Sequence, residues 1–173
     1  MKEKTTLYHV NSMEKIEYFC TENKLILSEH KSDNKYAGDG MYFWDNRGNA
    51  DYWVGQKLNY FKKDDLCLLV VSIEYNSDNL LDLMDNSQLS EYQIVLSKLK
   101  NIEKINMRTL GEKVDFLCNF LGFKIVRFAT YYPRVPKSDL IAGSYVNNKN
   151  KVIYCVKPNH CDIIKTKHKE VLS

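Results

Sequence analysis

The alternation of apolar and polar positions along this chain predicts strands separated by helices. Short β-prone runs occur at residues 7–10 and 41–44. A longer run, residues 66–73, is apolar at nearly every position, which predicts a strand buried on both faces near the centre of a sheet. Two later runs, residues 124–129 and 152–156, complete the predicted strands.

Apolar residues at helical spacing predict helices between these strands. The first helix follows Ser12, and a second begins at Asn49 and continues to about residue 61; both residues are suited to cap a helix. Further helices are predicted over residues 90–100 and 110–121, and Gly122 is a suitable terminator for the last one. The sequence therefore predicts one helix after each of the first two strands and two helices before the strand at residues 124–129.

The order β, α, β, α, β, helices, β, β predicts a mixed α+β fold and not a doubly wound parallel sheet. Residues 25–27 are predicted to be extended, and residues 28–35 and the proline-containing residues 131–137 to be loops. The basic residues 165–169 are expected to form a solvated tail. A length of 173 residues fits one domain, residues 1–173.

Composition limits the classes of partner only weakly. Charged residues make up 27% with a net charge of +3, which does not by itself predict nucleic-acid binding. The five cysteines lie mostly in apolar runs, and the N-terminus lacks the apolar core of a signal peptide, so we expect reduced thiols in a cytoplasm. No apolar run approaches the roughly 20 residues of a membrane helix, so no membrane partner is expected.

A glycine pair followed by aromatic residues is the strongest candidate for function. Gly38 and Gly40 lead into Tyr42, Phe43 and Trp44, which places backbone free of side chains beside a stacking surface. This arrangement is typical of a pocket for a flat ligand. The alternative is an ordinary turn followed by aromatic residues of a strand core.

Three segments occur in the order of the motif strands of ADP-ribosyltransferases of the diphtheria-toxin and poly-ADP-ribose-polymerase type. They are Leu-Tyr-His-Val-Asn-Ser at residues 7–12, Gly-Asp-Gly-Met-Tyr-Phe-Trp at 38–44 followed by Asn-Ala-Asp-Tyr-Trp at 49–53, and Val-Ile-Tyr-Cys-Val-Lys-Pro-Asn-His-Cys at 152–161. The chain resembles a small bacterial member of that fold. The resemblance implies a split, mixed β-sheet with a helical insertion, and NAD as the substrate.

The resemblance also implies roles for residues of the first motif. By position, His9 hydrogen-bonds the adenosine ribose of NAD, and Asn11 and Ser12 line the turn. Val10 stands where the family usually has glycine, which narrows the approach of a ligand to the backbone. In the second motif Tyr42 packs its ring on nicotinamide, so His9 and Tyr42 are the implied catalytic pair.

The remaining implied residues complete one wall of the site and reveal a departure from the family. Gly38, Gly40 and Tyr52 belong to the wall of Tyr42. The family's third strand carries a glutamate that stabilises positive charge at C1′ of the ribose, and here that position falls to Lys151, Val152 or Ile153, depending on register. Asp45 and Asp51 are candidate replacement acids, and both are equally suited to a turn or a helix N-terminus.

These expectations lead to three hypotheses. The first is an NAD-dependent mono-ADP-ribosyltransferase that modifies a protein or nucleic-acid acceptor, as an intracellular toxin, defence factor or phage effector with a possible cognate inhibitor. The second is the same fold without catalysis, binding NAD, ADP-ribose, nucleic acid or a protein. The third is a nucleic-acid-processing toxin in which His9 acts as acid or base.

Other reactive residues have simpler explanations. Cys155, His160, Cys161 and His168 do not have the spacing of a zinc site, so no metal is expected. Arg127 is favoured as an ion-pair residue of its strand, with a phosphate of NAD or an acidic partner as the alternative.

Overall fold

A computed structural model of the chain describes residues 1–28, 35–103, 107–132, 139–146 and 148–172. In these residues it contains seven strands and four α-helices. In chain order they are β1 (Lys2–Ser12), α1 (Met13–Glu22), β2 (Met41–Trp44), α2 (Arg47–Lys57), β3 (Leu66–Asn76), β4 (Leu80–Asp82), α3 (Asn86–Glu103), α4 (Leu110–Leu121), β5 (Ile125–Tyr131), β6 (Asn150–Val156) and β7 (Ile164–Val171).

The strands form one mixed sheet in the order β4-β5-β6-β2-β1-β3-β7. Strands β4 and β5 are parallel, as expected for strands joined by the crossover through α3 and α4, and the other neighbours are antiparallel. Within the described residues, β1 and β2 are paired only at Tyr8 and Trp44, whereas β1 pairs with β3 from Lys2 to Ser12. The mixed α+β fold and the helical insertion before β5 are confirmed.

Both faces of the sheet are covered by apolar residues. On the first face, Leu7 and Phe43 pack with Phe19 of α1. On the second face, Val10 and Trp44 pack with residues of α2, α3 and α4. Because β3 contributes to both cores, its predicted burial on both faces is confirmed.

Side-chain contacts at helix ends agree with the sequence in part. Helix α4 ends at Gly122, whose φ of 78° is the left-handed conformation that glycine adopts at low strain. Helix α2 begins earlier than predicted, because Asn46 and not Asn49 is its cap: the side chain of Asn46 accepts a hydrogen bond from the Asn49 N–H. Helix α2 also ends earlier, at Lys57. Ser12 precedes α1 but forms no capping hydrogen bond through its side chain.

Two strands were not predicted. The prediction of a solvated tail at residues 165–169 is wrong, because these residues belong to β7 at the edge of the sheet. An edge strand tolerates lysines pointing to solvent, and such lysines discourage pairing with other chains. Strand β4 has only three residues, which are too few for an alternating apolar pattern to predict it. Residues 25–27 do not form a strand, although Leu25 and Ile26 pack against the core of the first face.

Two predicted loops lie largely outside the described residues. These are residues 28–35, of which 29–34 are not described, and residues 131–137, of which 133–137 are not described. Tyr131 itself ends β5. The five cysteines all lie in described parts of the chain and are free thiols. Among the described helices, none has the length and apolarity needed to cross a membrane.

Candidate functional site

His9 lies in β1, next to the point where β1 and β2 separate. Its Nδ1 is 2.7 Å from the carbonyl oxygen of Tyr42, and its Nε2 is 3.3 Å from Nδ2 of Asn11. A carbonyl only accepts, so Nδ1 carries the proton and Nε2 is the acceptor. The ring also packs against Phe43, with 5.6 Å between centroids. The imidazole therefore bridges two strands that have almost no ladder between them.

Burial keeps the imidazole of His9 neutral. Burial lowers the pKa of His9 to about 4, the hydrogen bond with the Tyr42 carbonyl opposes this shift, and the positive charges of Lys57 and Lys15 add to it. At neutral pH the ring therefore presents an uncharged acceptor nitrogen in a positively charged neighbourhood.

Tyr42 projects from β2 towards the second face of the sheet. Its hydroxyl donates a hydrogen bond of 2.6 Å to the carbonyl oxygen of Gly38, and its ring meets the ring of Phe128 edge-on, 6.3 Å away. Burial raises the pKa of the Tyr42 hydroxyl, and the neighbouring Cys155 adds to this shift. The phenol is therefore a neutral hydrogen-bond donor fixed at its far end.

The side chains of His9 and Tyr42 lie on opposite faces of the sheet. Phe43, which His9 contacts, belongs to the core of the first face, and Tyr42 packs against the core of the second face. Successive residues of a strand alternate between faces, so the neighbours Tyr42 and Phe43 cannot share one. The expected pair is thus joined through the backbone of Tyr42. A ligand that contacts both side chains would have to pass between β1 and β2 where they are not paired, a region that we call the gap.

The other residues implied for the first and third motifs are divided in the same way. Val10 is buried in the core of the second face, and so is Ile153 of β6, opposite Trp44. Asn11 is half-buried, and its side-chain oxygen accepts a hydrogen bond from the N–H of Ser12. Asn11 and Ser12 therefore lie beside His9 at the end of β1, whereas Val10 and Ile153 are packing residues.

The glycines before β2 are held by residues that the sequence did not indicate. Gly38 has a φ of 70°, and a Cβ at this position would overlap the carboxylate of Asp115 on α4. Asp115 accepts hydrogen bonds from the N–H of Asp39 through both oxygens and pairs with Lys157 at 2.5 Å. The only sequence signal for this contact was a lysine directly after a buried strand, which is too common to interpret.

Aromatic side chains continue along the second face from Tyr42. Phe128 contacts both Tyr42 and Tyr36, and it lines a cavity of about 430 Å³ together with Leu83, Leu110 and Tyr131. Tyr52, which was expected beside Tyr42, instead packs its ring on Tyr132, 5.9 Å away. Phe43 and Trp44, the other aromatic residues expected beside Tyr42, are buried in the cores of opposite faces, and Phe128 of β5 is an unpredicted aromatic neighbour of Tyr42.

The candidate replacement acids serve local structure. Asp45 accepts hydrogen bonds from the side chains of Asn46 and Asn49, and Asp51 pairs with Arg47 at 3.2 Å.

Strand β6 carries no Asp or Glu, and the Nζ of Lys151 donates to the carbonyl oxygen of Asn148. No residue named for the third motif therefore supplies an anion.

The remaining reactive residues also have structural contacts. Arg127 pairs with Asp82 of β4, which is the ion pair favoured from the sequence. Burial raises the pKa values of the Cys118 and Cys155 thiols to about 12, so neither is a ready nucleophile. Among the described residues, no group of three His, Cys, Asp or Glu is placed to hold a metal ion.

The lowered pKa of His9 predicts a loss of stability in acid. An unfolded chain binds a proton at His9 near pH 6.5, and the folded protein binds it only near pH 4. The contribution of neutral His9 is therefore complete above pH 6.5 and is lost as the pH falls towards 4, by roughly 3 kcal/mol. We expect urea unfolding across this range to show the loss. His9→Gln should flatten that part of the profile.

Comparison with known proteins adds no relative. No protein-family model matches the chain, and the search of curated proteins found no significant match.

Proposed function

We propose that this protein binds NAD at the gap between β1 and β2 and belongs to the ADP-ribosyltransferase type, transferring ADP-ribose to a protein or nucleic-acid acceptor. The observation that carries the proposal is His9 itself. It bridges the two diverging strands, with one ring nitrogen held by the Tyr42 carbonyl and the other presented as an acceptor. In the family that the chain resembles, the corresponding histidine binds a ribose hydroxyl.

The chemistry of His9 matches a sugar hydroxyl. The contact between Nε2 and the Asn11 amide, at 3.3 Å, is longer than the usual N–H···N or N–H···O distance. A ribose hydroxyl that donates to Nε2 would form a shorter bond, and Asn11 would then be free to bind the same sugar. The low pKa of His9, caused by burial, keeps Nε2 available as an acceptor at neutral pH.

Charge near the gap favours an anionic ligand. Lys15 at the start of α1 and Lys57 at the end of α2 are both close enough to His9 to lower its pKa. The NAD diphosphate carries two negative charges, and lysines within one Debye length attract such a group before any direct contact forms. The resemblance places the nicotinamide ring against Tyr42, and since Tyr42 lies on the face opposite His9, the proposed ligand would have to pass between β1 and β2.

Transfer would require the bond between nicotinamide and C1′ to break, with its electron pair leaving on nicotinamide. An acceptor nucleophile would then bond to C1′ and lose its proton to water. The transition state carries positive charge on the ribose, and an enzyme of this kind accelerates the step by stabilising that charge. Strand β6 supplies no carboxylate, so the residues of this chain contribute mainly by positioning the ribose and the ring.

The absence of a carboxylate from β6 favours a second candidate, a binding module without transferase activity. Asp45 and Asp51, the candidate replacement acids, are already bound to asparagine and arginine side chains. In this case NAD or ADP-ribose would bind at the same gap, and the bond to nicotinamide would stay intact.

Replacing His9 is expected to weaken NAD binding at least tenfold, because it removes the acceptor for the ribose and the bridge between the strands. Isothermal titration calorimetry of wild type and His9→Ala with NAD measures this directly. His168→Ala, which changes an exposed histidine of β7, is the matched control and should bind like wild type.

Radiolabelled NAD incubated with the protein and cell extract separates the two candidates. Label on a macromolecule, with nicotinamide released and both lost in His9→Ala, supports transfer. Binding without either product supports the module. A wild-type protein that neither binds NAD nor releases nicotinamide would refute the proposal.

A further inference from the structure

We infer that Asp115 and Lys157 are positioning residues that give the site its preference for NAD over ADP-ribose. They hold the glycine turn to which the Tyr42 hydroxyl is anchored. The inference rests on the proposed function, in which Tyr42 packs on the nicotinamide ring.

The side chains of Lys157 and Asp115 form hydrogen bonds with the turn on both sides of Gly38. Lys157 lies directly after β6, and its Nζ donates to the carbonyl oxygen of Ala37 at 2.8 Å. Asp115 of α4 accepts from the N–H of Asp39 at 3.0 and 3.1 Å. Lys157 and Asp115 are joined to each other at 2.5 Å. The peptide groups before and after Gly38 are therefore fixed by one ion pair.

The glycine turn also fixes the position of the Tyr42 ring. The carbonyl oxygen of Gly38 accepts the hydrogen bond from the Tyr42 hydroxyl at 2.6 Å, so the ring is held at its outer end as well as at its Cα. A shift of the turn would move this anchor and tilt the ring. A cavity of about 280 Å³ lies beside the pair and is lined by both Asp115 and Lys157. Asp39 of the turn also lines this cavity, so the turn borders open space on that side.

Burial argues that the pair serves geometry more than stability. The side chain of Lys157 is 5% exposed and that of Asp115 is 32% exposed. Removing an ammonium group from water is unfavourable, and apolar residues of similar volume often stabilise a protein equally well. Two charges that bind the backbone of Ala37 and of Asp39 specify the position of the turn between them, which apolar side chains cannot do.

The difference between NAD and ADP-ribose isolates this role. The two ligands share the adenosine, the diphosphate and the second ribose, and NAD alone carries nicotinamide. A displaced Tyr42 ring should therefore weaken NAD binding and leave ADP-ribose binding nearly unchanged. General damage to the fold would weaken both ligands together.

The test is calorimetric titration of wild type, Asp115→Asn, Tyr42→Phe and the double variant with NAD and with ADP-ribose. We expect Asp115→Asn to lower NAD affinity about tenfold and to change ADP-ribose affinity less than twofold. Tyr42→Phe removes the anchoring hydroxyl and should have a similar effect. The double variant should lose little more than either single variant, because both act through the Gly38 carbonyl.

Asp162→Asn is the matched control, since the Asp162 carboxylate is 60% exposed and pairs with Lys124 at the surface. If Asp115→Asn does not fold, the neutral pair Asp115→Asn/Lys157→Gln replaces it. The inference is overturned if Asp115→Asn lowers both affinities equally, if it lowers neither, or if wild type does not distinguish the two ligands. A wild type that binds neither ligand overturns both the proposed function and this inference. The other outcomes overturn this inference alone and leave the proposed function standing.

Discussion

Replacing Asp115 with alanine is expected to destabilise the protein by about 3 kcal/mol at neutral pH, because it leaves the ammonium group of Lys157 buried without its partner. The Nζ of Lys157 would retain the Ala37 carbonyl as an acceptor, but a neutral dipole does not balance the charge of an ammonium group whose side chain is only 5% exposed. The Asp39 N–H would lose its acceptor as well. Urea unfolding of both proteins at pH 7 measures the difference.

The reverse substitution provides the control. Lys157→Met leaves Asp115, whose side chain is 32% exposed and can be hydrated, so its effect should be smaller, about 1–2 kcal/mol. The double variant Asp115→Ala/Lys157→Met should be more stable than Asp115→Ala. Equal effects of the two single variants would contradict the assignment of Lys157 as the more costly group to leave unpaired.

Replacing Gly40 with alanine is expected to destabilise the protein by about 3 kcal/mol, because the position has no space for a methyl group. A Cβ there would overlap the Sγ of Cys155 and lie 2.5 Å from the carbonyl oxygen of Val156. The φ of 157° also disfavours any residue with a side chain. Relief would require β2 to move away from β6, which would break the pairing of Met41 with Val156. Thermal or urea unfolding measures the effect.

Gly55→Ala is the matched control for a glycine without such contacts. Gly55 lies in α2, and a Cβ at this position would meet no atom within 4 Å. Alanine has the higher helix propensity, so we expect a gain of about 0.5–1 kcal/mol. A Gly40→Ala variant as stable as Gly55→Ala would show that the contact between β2 and β6 is looser than the structure indicates.

Local signals in the sequence were sufficient where an element depends on its own residues. The apolar spacing of α4 and the glycine at its end predicted that helix, and the continuous apolar run of β3 predicted a central strand. The start of α2 was wrong by three residues because Asn46 and Asn49 are both good caps. In the structure Asn46 is the cap. Its partner Asn49 is buried, and the Asn49 side chain donates a hydrogen bond to Asp45.

The sequence by itself determined the mixed α+β order, the glycine turn before an aromatic strand, and the presence of a histidine near the end of the first strand. Only the tertiary structure decided which face each side chain occupies and which distant residues meet. His9 and Tyr42 are separated by the sheet, although the Tyr42 carbonyl joins them, and Asp115 and Lys157 close on Gly38 from α4 and the end of β6. The physical reason is that strand pairing and helix packing join residues far apart in the chain, and periodicity within one element carries no information about its partners.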